Sequence, residues 1–399
     1  MTRLFHPLIF LRTLGGVRRA LALVLISLAL LLPACSIPQV KAEDRLFLDL
    51  SVEFLGAYQL PQRSFQETPV GGLSGLTYDR QRDRFYAISD DRSEQAPARF
   101  YTLKLNLKPA PQIGLDTVEI EKVTTLTGED GQPYAENTVD LEGIALSPRQ
   151  SLFISSEGVS REGIPPFIDE FDRETGQWQG RLPIPQRFLP GLVADHPVGV
   201  QDNLGFESLT INANGSVDGR LEPFRLFTAT ESALEQDLPE SAAAQPAPTP
   251  VRFLHYLVGD SQTTLLAEHL YRVEPTPLGT TRGLSELLTL DQGGHFLSLE
   301  RSFGLLSGFG SELFQIATGP ATDISGVASL KGDSPGTTPI YKRSLLNLQD
   351  LGIPLDNLEG MALGPRLSDG TRSLLLVSDD NFNPAQVTQF LLFRIRGIS

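Results

Sequence analysis

GLSGLTYDRQRDRFYAISDDRS, Gly72 to Ser93, reads as an apolar strand, a polar turn and a second strand ending on two carboxylates. The same design returns four more times. It reads LEGIALSPRQSLFISSEG from Leu141 to Gly158 and LSELLTLDQGGHFLSLERS from Leu284 to Ser302. From Phe206 it opens FESLTIN and closes RLFTATES, and from Leu358 it opens LEGMALGP and closes SLLLVSDDN. Each unit starts with Ser74, Glu142, Glu207, Ser285 or Glu359, and these lie 65 to 78 residues apart. Each second strand ends on an acid: Asp90, Glu157, Glu231, Glu300 or Asp379. A strand unit recurring at such a period is the signature of radial repetition.

Working outward, further strand patterns fill each unit. ARFYTLKLN and DTVEIEKVTTL complete the first; FIDEFD and WQGRLPI complete the second. VRFLHYLVG and LLAEHLYRV complete the third, after a Pro/Ala-rich insertion, Pro239 to Pro250, expected to be a surface loop. The fourth continues with SELFQIA and a weaker DISGVASL. The fifth offers only three strands, and a spare strand-like stretch, Leu46 to Leu60, precedes the first unit. Closing the last blade with the first strand removes the exposed edges of a ring. The expected fold is therefore all-β: a propeller of five four-stranded blades closed by the N-terminal strand, spanning residues 46–399. Six blades are the alternative if Gly308 to Leu348 hides a degenerate blade; a two-sheet sandwich explains the recurring Ser/Glu start less well.

Arg3, Arg12, Arg18 and Arg19 precede the apolar run Leu21 to Leu32, the pattern of an export signal over residues 1–34. Leu32-Pro33-Ala34-Cys35 resembles a bacterial lipobox, with Pro33 departing from the usual small residue, and Cys35 is the only cysteine. Cys35 is thus the expected lipidation site, with residues 35–45 as a tether and the protein held at the cell envelope. With no second cysteine, no intrachain disulfide can form, so stability falls to a large core. The formal net charge is −15. Loss of residues 1–34 makes it more acidic. That balance argues against nucleic acid and against anionic membrane surfaces, leaving the lipid anchor as the membrane contact of a chain read as a monomer.

In a propeller, equivalent positions of successive blades meet around the axis. Glu142, Glu207 and Glu359 are expected to converge with Ser74 and Ser285, the three glutamates as catalytic candidates. Asp90, Asp91, Glu157, Glu231, Glu300, Asp379 and Asp380 form a second set, the metal candidates. Converging carboxylates repel one another, so they protonate, take partners or bind a hard cation through oxygen. Calcium, tolerant of irregular oxygen cages, is the natural ion. Arg92 and Arg301, beside these acids, are candidates with Ser74 and Ser285 to bind an anionic substrate. Against this stands an architectural role, in which strand-end acids satisfy neighbouring backbone amides. Ser74 lacks the G-x-S-x-G spacing of a nucleophile elbow. His196, His255, His269 and His295 show no ligand spacing.

The phrases GLSGLTYD, RFYAISDD, DLEGIALSP, LFISSEG, GFESLTIN, LFTATES, NLEGMALGP and LLLVSDDN resemble the bacterial phytase-like family labelled "esterase-like activity of phytase". The resemblance covers about Leu46 to Ile398. It implies hydrolysis of small-molecule phosphate or carboxylic esters, and the better-understood propeller phytases use calcium to hold and activate phosphate. No stretch matches a catalytic motif of those enzymes residue by residue, so the candidates remain those of the repeat. Three functions follow: a calcium-assisted phosphoester hydrolase, a non-catalytic ligand-binding or scaffold propeller, or a carboxylester or lactone hydrolase.

Overall fold

The inner strand of every blade skips one residue in its register with the next strand, and the skipped residue is the one that opens the repeat. In the computed structural model the slips fall between Leu73 and Gly75, Phe206 and Ser208, Leu284 and Glu286, and Leu358 and Gly360. In the second blade the slip lies between Leu141 and Ile144. Such β-bulges re-aim a side chain and bend the strand. The structure describes residues 46–61, 63–212, 222–239, 247–331 and 336–398. The expected signal, Cys35 and tether lie outside them.

Five four-stranded antiparallel sheets form, each with strands in sequence order from the inside outward except the last. The first blade runs Leu73–Asp79, Arg84–Ser89, Arg99–Leu107 and Leu115–Thr125; the second runs Leu141–Leu146, Ser151–Ser156, Phe167–Asp172 and Trp178–Arg181. The third runs Phe206–Asn212, Phe224–Thr230, Thr249–Val258 and Thr263–Val273. The fourth runs Thr280–Thr289, His295–Gly304, Gly308–Ala317 and Tyr341–Asn347. Asn357–Arg366, Arg372–Asp379 and Gln389–Arg396 make the fifth, and Ser51–Gln59 pairs antiparallel with Gln389–Arg396 to complete it. The five-bladed ring closed by the N-terminal strand is thus the fold. Among the described residues there is no sixth blade and no α-helix, only short 3₁₀ turns and two small hairpins.

Burial explains the order of strands. The inner strand Leu141–Leu146 is buried almost throughout, as expected of a strand covered on both faces, whereas the outer Leu115–Thr125 alternates buried and exposed. Neighbouring inner strands approach so closely that only glycine fits. A Cβ on Gly75 would lie 2.5 Å from the Glu142 carbonyl oxygen, one on Gly143 2.7 Å from the Leu209 Cβ, and one on Gly360 2.8 Å from the Ser74 carbonyl oxygen. The apolar layers between blades hold the core, for example Phe153, Phe206 and Phe224 between the second and third.

One expected strand is absent. DISGVASL does not join the fourth blade; Tyr341–Asn347 takes that edge. Ile324 and Leu330 instead pack on Leu270 of the third blade, and side-chain carboxylates serve the local backbone: Asp323 accepts the Glu268 N–H and Asp237 the Leu330 N–H. The Pro/Ala-rich insertion also ends earlier than expected, since Thr249 and Pro250 already pair in the third blade. His196 sits in the exposed hairpin of Gly191–Val193 and His196–Val198. His255 stacks on Phe227 at 4.5 Å, and burial pushes its pKa down to about 4.

Candidate functional site

The bulges gather Glu142, Glu207 and Glu359 at one end of the axis, with one carboxylate oxygen of each within 4.8 Å of the others. Two further triads share members with this one: Asp90, Asp140 and Glu142, and Glu157, Glu207 and Glu231. Glu142 and Glu207 therefore link three groups of oxygen donors. A cavity of about 290 Å³ opens here, lined by Asp90, Glu142, Glu207, Glu359 and Asp379 and by Arg301, Asn203, Asn357 and Asn381.

Strand register explains which second-strand residues reach it. Leu73 pairs with Ser89, Leu141 with Ser156, Phe206 with Thr230, Leu284 with Glu300 and Leu358 with Ser378. The residues that follow are Asp90, Glu157, Glu231, Arg301 and Asp379. Arg301, not Glu300, is thus the fourth blade's counterpart of the acids, a cation set among four carboxylates. Its Nη2 lies 3.1 Å from Glu231 and 3.8 Å from Glu207, and its Nε lies 3.1 Å from Glu359. Asn357 Nδ2 donates to Glu359 Oε1 at 2.8 Å.

Charge is badly balanced in this space. Burial and mutual repulsion push the carboxyls of Asp90, Glu142, Glu157, Glu207 and Asp379 well above their ordinary range. Burial raises Glu231 against the opposing pull of Arg301, and lifts Glu359 to about 7 against the same pull. Burial disfavours the Arg301 charge, yet Glu231, Glu359, Glu207 and Glu142 overcome it and hold the guanidinium protonated. Glu157 Oε1 is buried with no hydrogen-bond partner. Hard oxygen donors in surplus, one of them orphaned, fit a divalent cation such as calcium or magnesium.

A family model described as phytase-like, esterase-like activity of phytase, matches residues 68–382. The chain belongs to this family. No curated protein matches it. Among solved structures, the endo-arabinase of Bacteroides thetaiotaomicron is 10% identical, with 84% of this chain and 96% of that one covered and a TM-score of 0.42. The catalytic domain of the Coprinopsis cinerea GH62 α-L-arabinofuranosidase is 9% identical, with 88% and 98% covered and a TM-score of 0.43. Likenesses this distant carry no argument about activity.

In this phytase-like protein several expected site residues are directed elsewhere, Asp91, Glu300 and Asp380 by strand parity and the others by their hydrogen bonds. Asp91, one residue beyond Asp90, is buried against Arg99 at 2.6 Å and accepts the N–H groups of Glu94, Gln95 and Ala96. Asp380 accepts from Arg63, Gly72 N–H and Thr388. Glu300 is fully buried among Tyr271, Arg282 and Lys342. Ser74 donates to the Glu142 carbonyl at 3.0 Å and Ser285 to the Leu299 carbonyl at 3.2 Å, so both tie strands together. Arg92 bonds Asp140 and Asn203, short of the central triad. Asp140, Asn203, Asn357 and Asn381 were not singled out by the repeat. Asp140 and Asn357 both stand one residue before the leucine that opens the unit, and that alignment was the available signal.

Proposed function

We propose that this carboxylate-lined end of the axis is the site of a calcium-assisted phosphoester hydrolase. The observation that carries the reading is the convergence of Glu142, Glu207 and Glu359 beside Arg301. The family membership supports it, as does the surplus of oxygen donors. Asp90, Asp140, Glu142, Glu157, Glu207 and Glu231 supply the donor sets for the ion. When bound, calcium neutralises phosphate charge and acidifies a water. Arg301, positioned by Asn357 and the acids around it, offers its guanidinium fork to phosphoryl oxygens. Glu359, fixed by the Asn357 amide, is placed to hold or pass a proton at the reacting oxygen. Cys35 anchors the protein to the bacterial envelope in this reading, and Cys35→Ser should move it from the membrane to the soluble fraction.

The test is hydrolysis of a phosphoester panel with calcium by Glu142→Gln, Glu207→Gln and Glu359→Gln. Unchanged rates in all three overturn the proposal. A second reading, a non-catalytic binding propeller, draws on Arg301 itself, because a resident guanidinium already offsets part of the ring's charge. Calcium-dependent turnover of any ester by the pure protein removes that reading.

A further inference from the structure

The carboxylate cavity shares part of its lining with a neighbour. Asn203, Thr281 and Arg301 also line a neighbouring groove of about 480 Å³ that borders Glu231 and Glu274. Thr276 and Thr280 in turn border a further groove of about 310 Å³, and here the lining changes character. Its walls are Ala233, Leu238, Pro248, Pro277 and Leu278. Prolines have no N–H to offer a polar ligand, so this end of the path suits hydrocarbon.

Two exposed apolar side chains stand at the ends of this row of cavities, Leu278 in the apolar groove and Phe303 at the carboxylate cavity. Leu278 is 93% exposed, and Phe303, Leu305 and Leu306 stand on the fourth-blade hairpin whose Phe303 and Phe309 border the carboxylate cavity. Elsewhere among the described residues the exposed large hydrophobics are only Leu192, Val193 and Leu266. Large apolar groups left in water beside a polar cavity mark a binding surface rather than chance.

We infer that the site takes amphiphilic phosphoesters, with the phosphate at Arg301 and the carboxylates and an alkyl or acyl tail laid past Thr276 and Thr280 along Leu278. This rests on the phosphoester reading above. The occupant is the substrate's own tail, because the apolar groove adjoins the polar groove at Thr276 and Thr280, and that groove adjoins the head site at Asn203, Thr281 and Arg301.

The test measures binding to the purified protein, with calcium present, of inorganic phosphate, n-butyl phosphate and n-octyl phosphate below its micellar concentration. Calorimetry gives the affinities, and hydrolysis is followed separately. Each methylene removed from water adds a roughly fourfold gain when fully covered, so octyl phosphate in this half-open groove should bind at least about tenfold tighter than butyl phosphate. Leu278→Asp should flatten that difference, while Leu192→Asp, on the exposed hairpin outside the groove, should leave it as in the wild type. Equal affinities for butyl and octyl phosphate, binding of neither, or a preference that survives Leu278→Asp overturns the inference. Tail-dependent binding without cleavage keeps the groove and sinks the hydrolase reading. Cleavage of butyl phosphate with no chain-length preference does the reverse.

Discussion

Glu207 and Leu209 stand two residues apart on one strand, yet the first lines a cavity of carboxylates and the second a cavity whose inner-strand wall is largely aliphatic. At the far end of the same five inner strands, Leu76, Ile144, Leu209, Leu287 and Met361 surround a space of about 460 Å³. Asp79 lines its rim, and the buried acid Glu286 stands on the fourth inner strand beside Leu287. Its carboxylate accepts the N–H of Leu287 at 2.9 Å and of Leu209 at 3.3 Å, and the Met361 amide lies against it. Burial pushes this carboxyl well up, and the amides of three blades pull it back. The comparison shows what decides the fate of a buried acid. Glu286 is outnumbered by donors and is spent on architecture, whereas the Glu207 group outnumbers its donors and keeps oxygen atoms open to a proton or a cation.

The largest expected effect separates the two ends by activity. Glu207→Gln should lower phosphoester hydrolysis by about 10²–10³-fold, the scale of removing one electrostatic partner from a reacting centre. It should also remove a like charge, so the melting temperature of the metal-free protein at pH 8 should hold or rise. Leu209→Ala should behave the other way round, costing about 3 kcal/mol of stability through a cavity while the calcium-induced rise in melting temperature persists. Loss of that rise in Leu209→Ala, or a collapse of stability in Glu207→Gln, would erase the distinction.

A third effect is set by pH. A carboxyl whose folded pKa lies above its unfolded value favours the folded state while it is protonated. For Glu359 that contribution is full below the ordinary value of 4.5 and is lost as pH rises through about 7. Its scale is about 3 kcal/mol. Metal-free protein should therefore melt progressively lower between pH 5 and 8, and calcium should flatten the curve; a curve that rises over that window contradicts the upward shift that burial gives Glu359. Smallest is Ser74→Ala, which removes the hydroxyl shared between the Leu141 and Glu142 carbonyls of the neighbouring strand. It should cost about 1 kcal/mol in chemical denaturation and leave calcium affinity alone.

Much of this was legible in the repeat. The period of the Ser/Glu starts gives the blade count, and the spare stretch before Pro61 gives the closing strand. The convergence of Glu142, Glu207 and Glu359 follows from the same alignment. What the repeat could not resolve was parity. Asp90 and Asp91, Glu300 and Arg301, and Asp379 and Asp380 are adjacent pairs, and a strand sends neighbours to opposite faces. Only the register, read from Leu284 opposite Glu300, shows that Arg301 is the residue aimed at the axis. Tyr341–Asn347 was hidden for a different reason. As an outer edge it is half exposed, without the run of buried positions that marks an inner strand.

The pairing of Ser51–Gln59 with Gln389–Arg396 has a consequence for how the ring comes into being. Ser51 waits for Arg396, at the opposite end of the propeller's sequence. Four blades are assembled from neighbours in sequence, but the fifth is a clasp whose halves are the first and last strands. Bringing them together carries the largest loop-closure entropy in the molecule, so the clasp is the natural last step of assembly. Until it shuts, two strand edges stand open for any passing chain to pair with. A nick or deletion within either half of the clasp would leave a nearly complete protein permanently in that adhesive state.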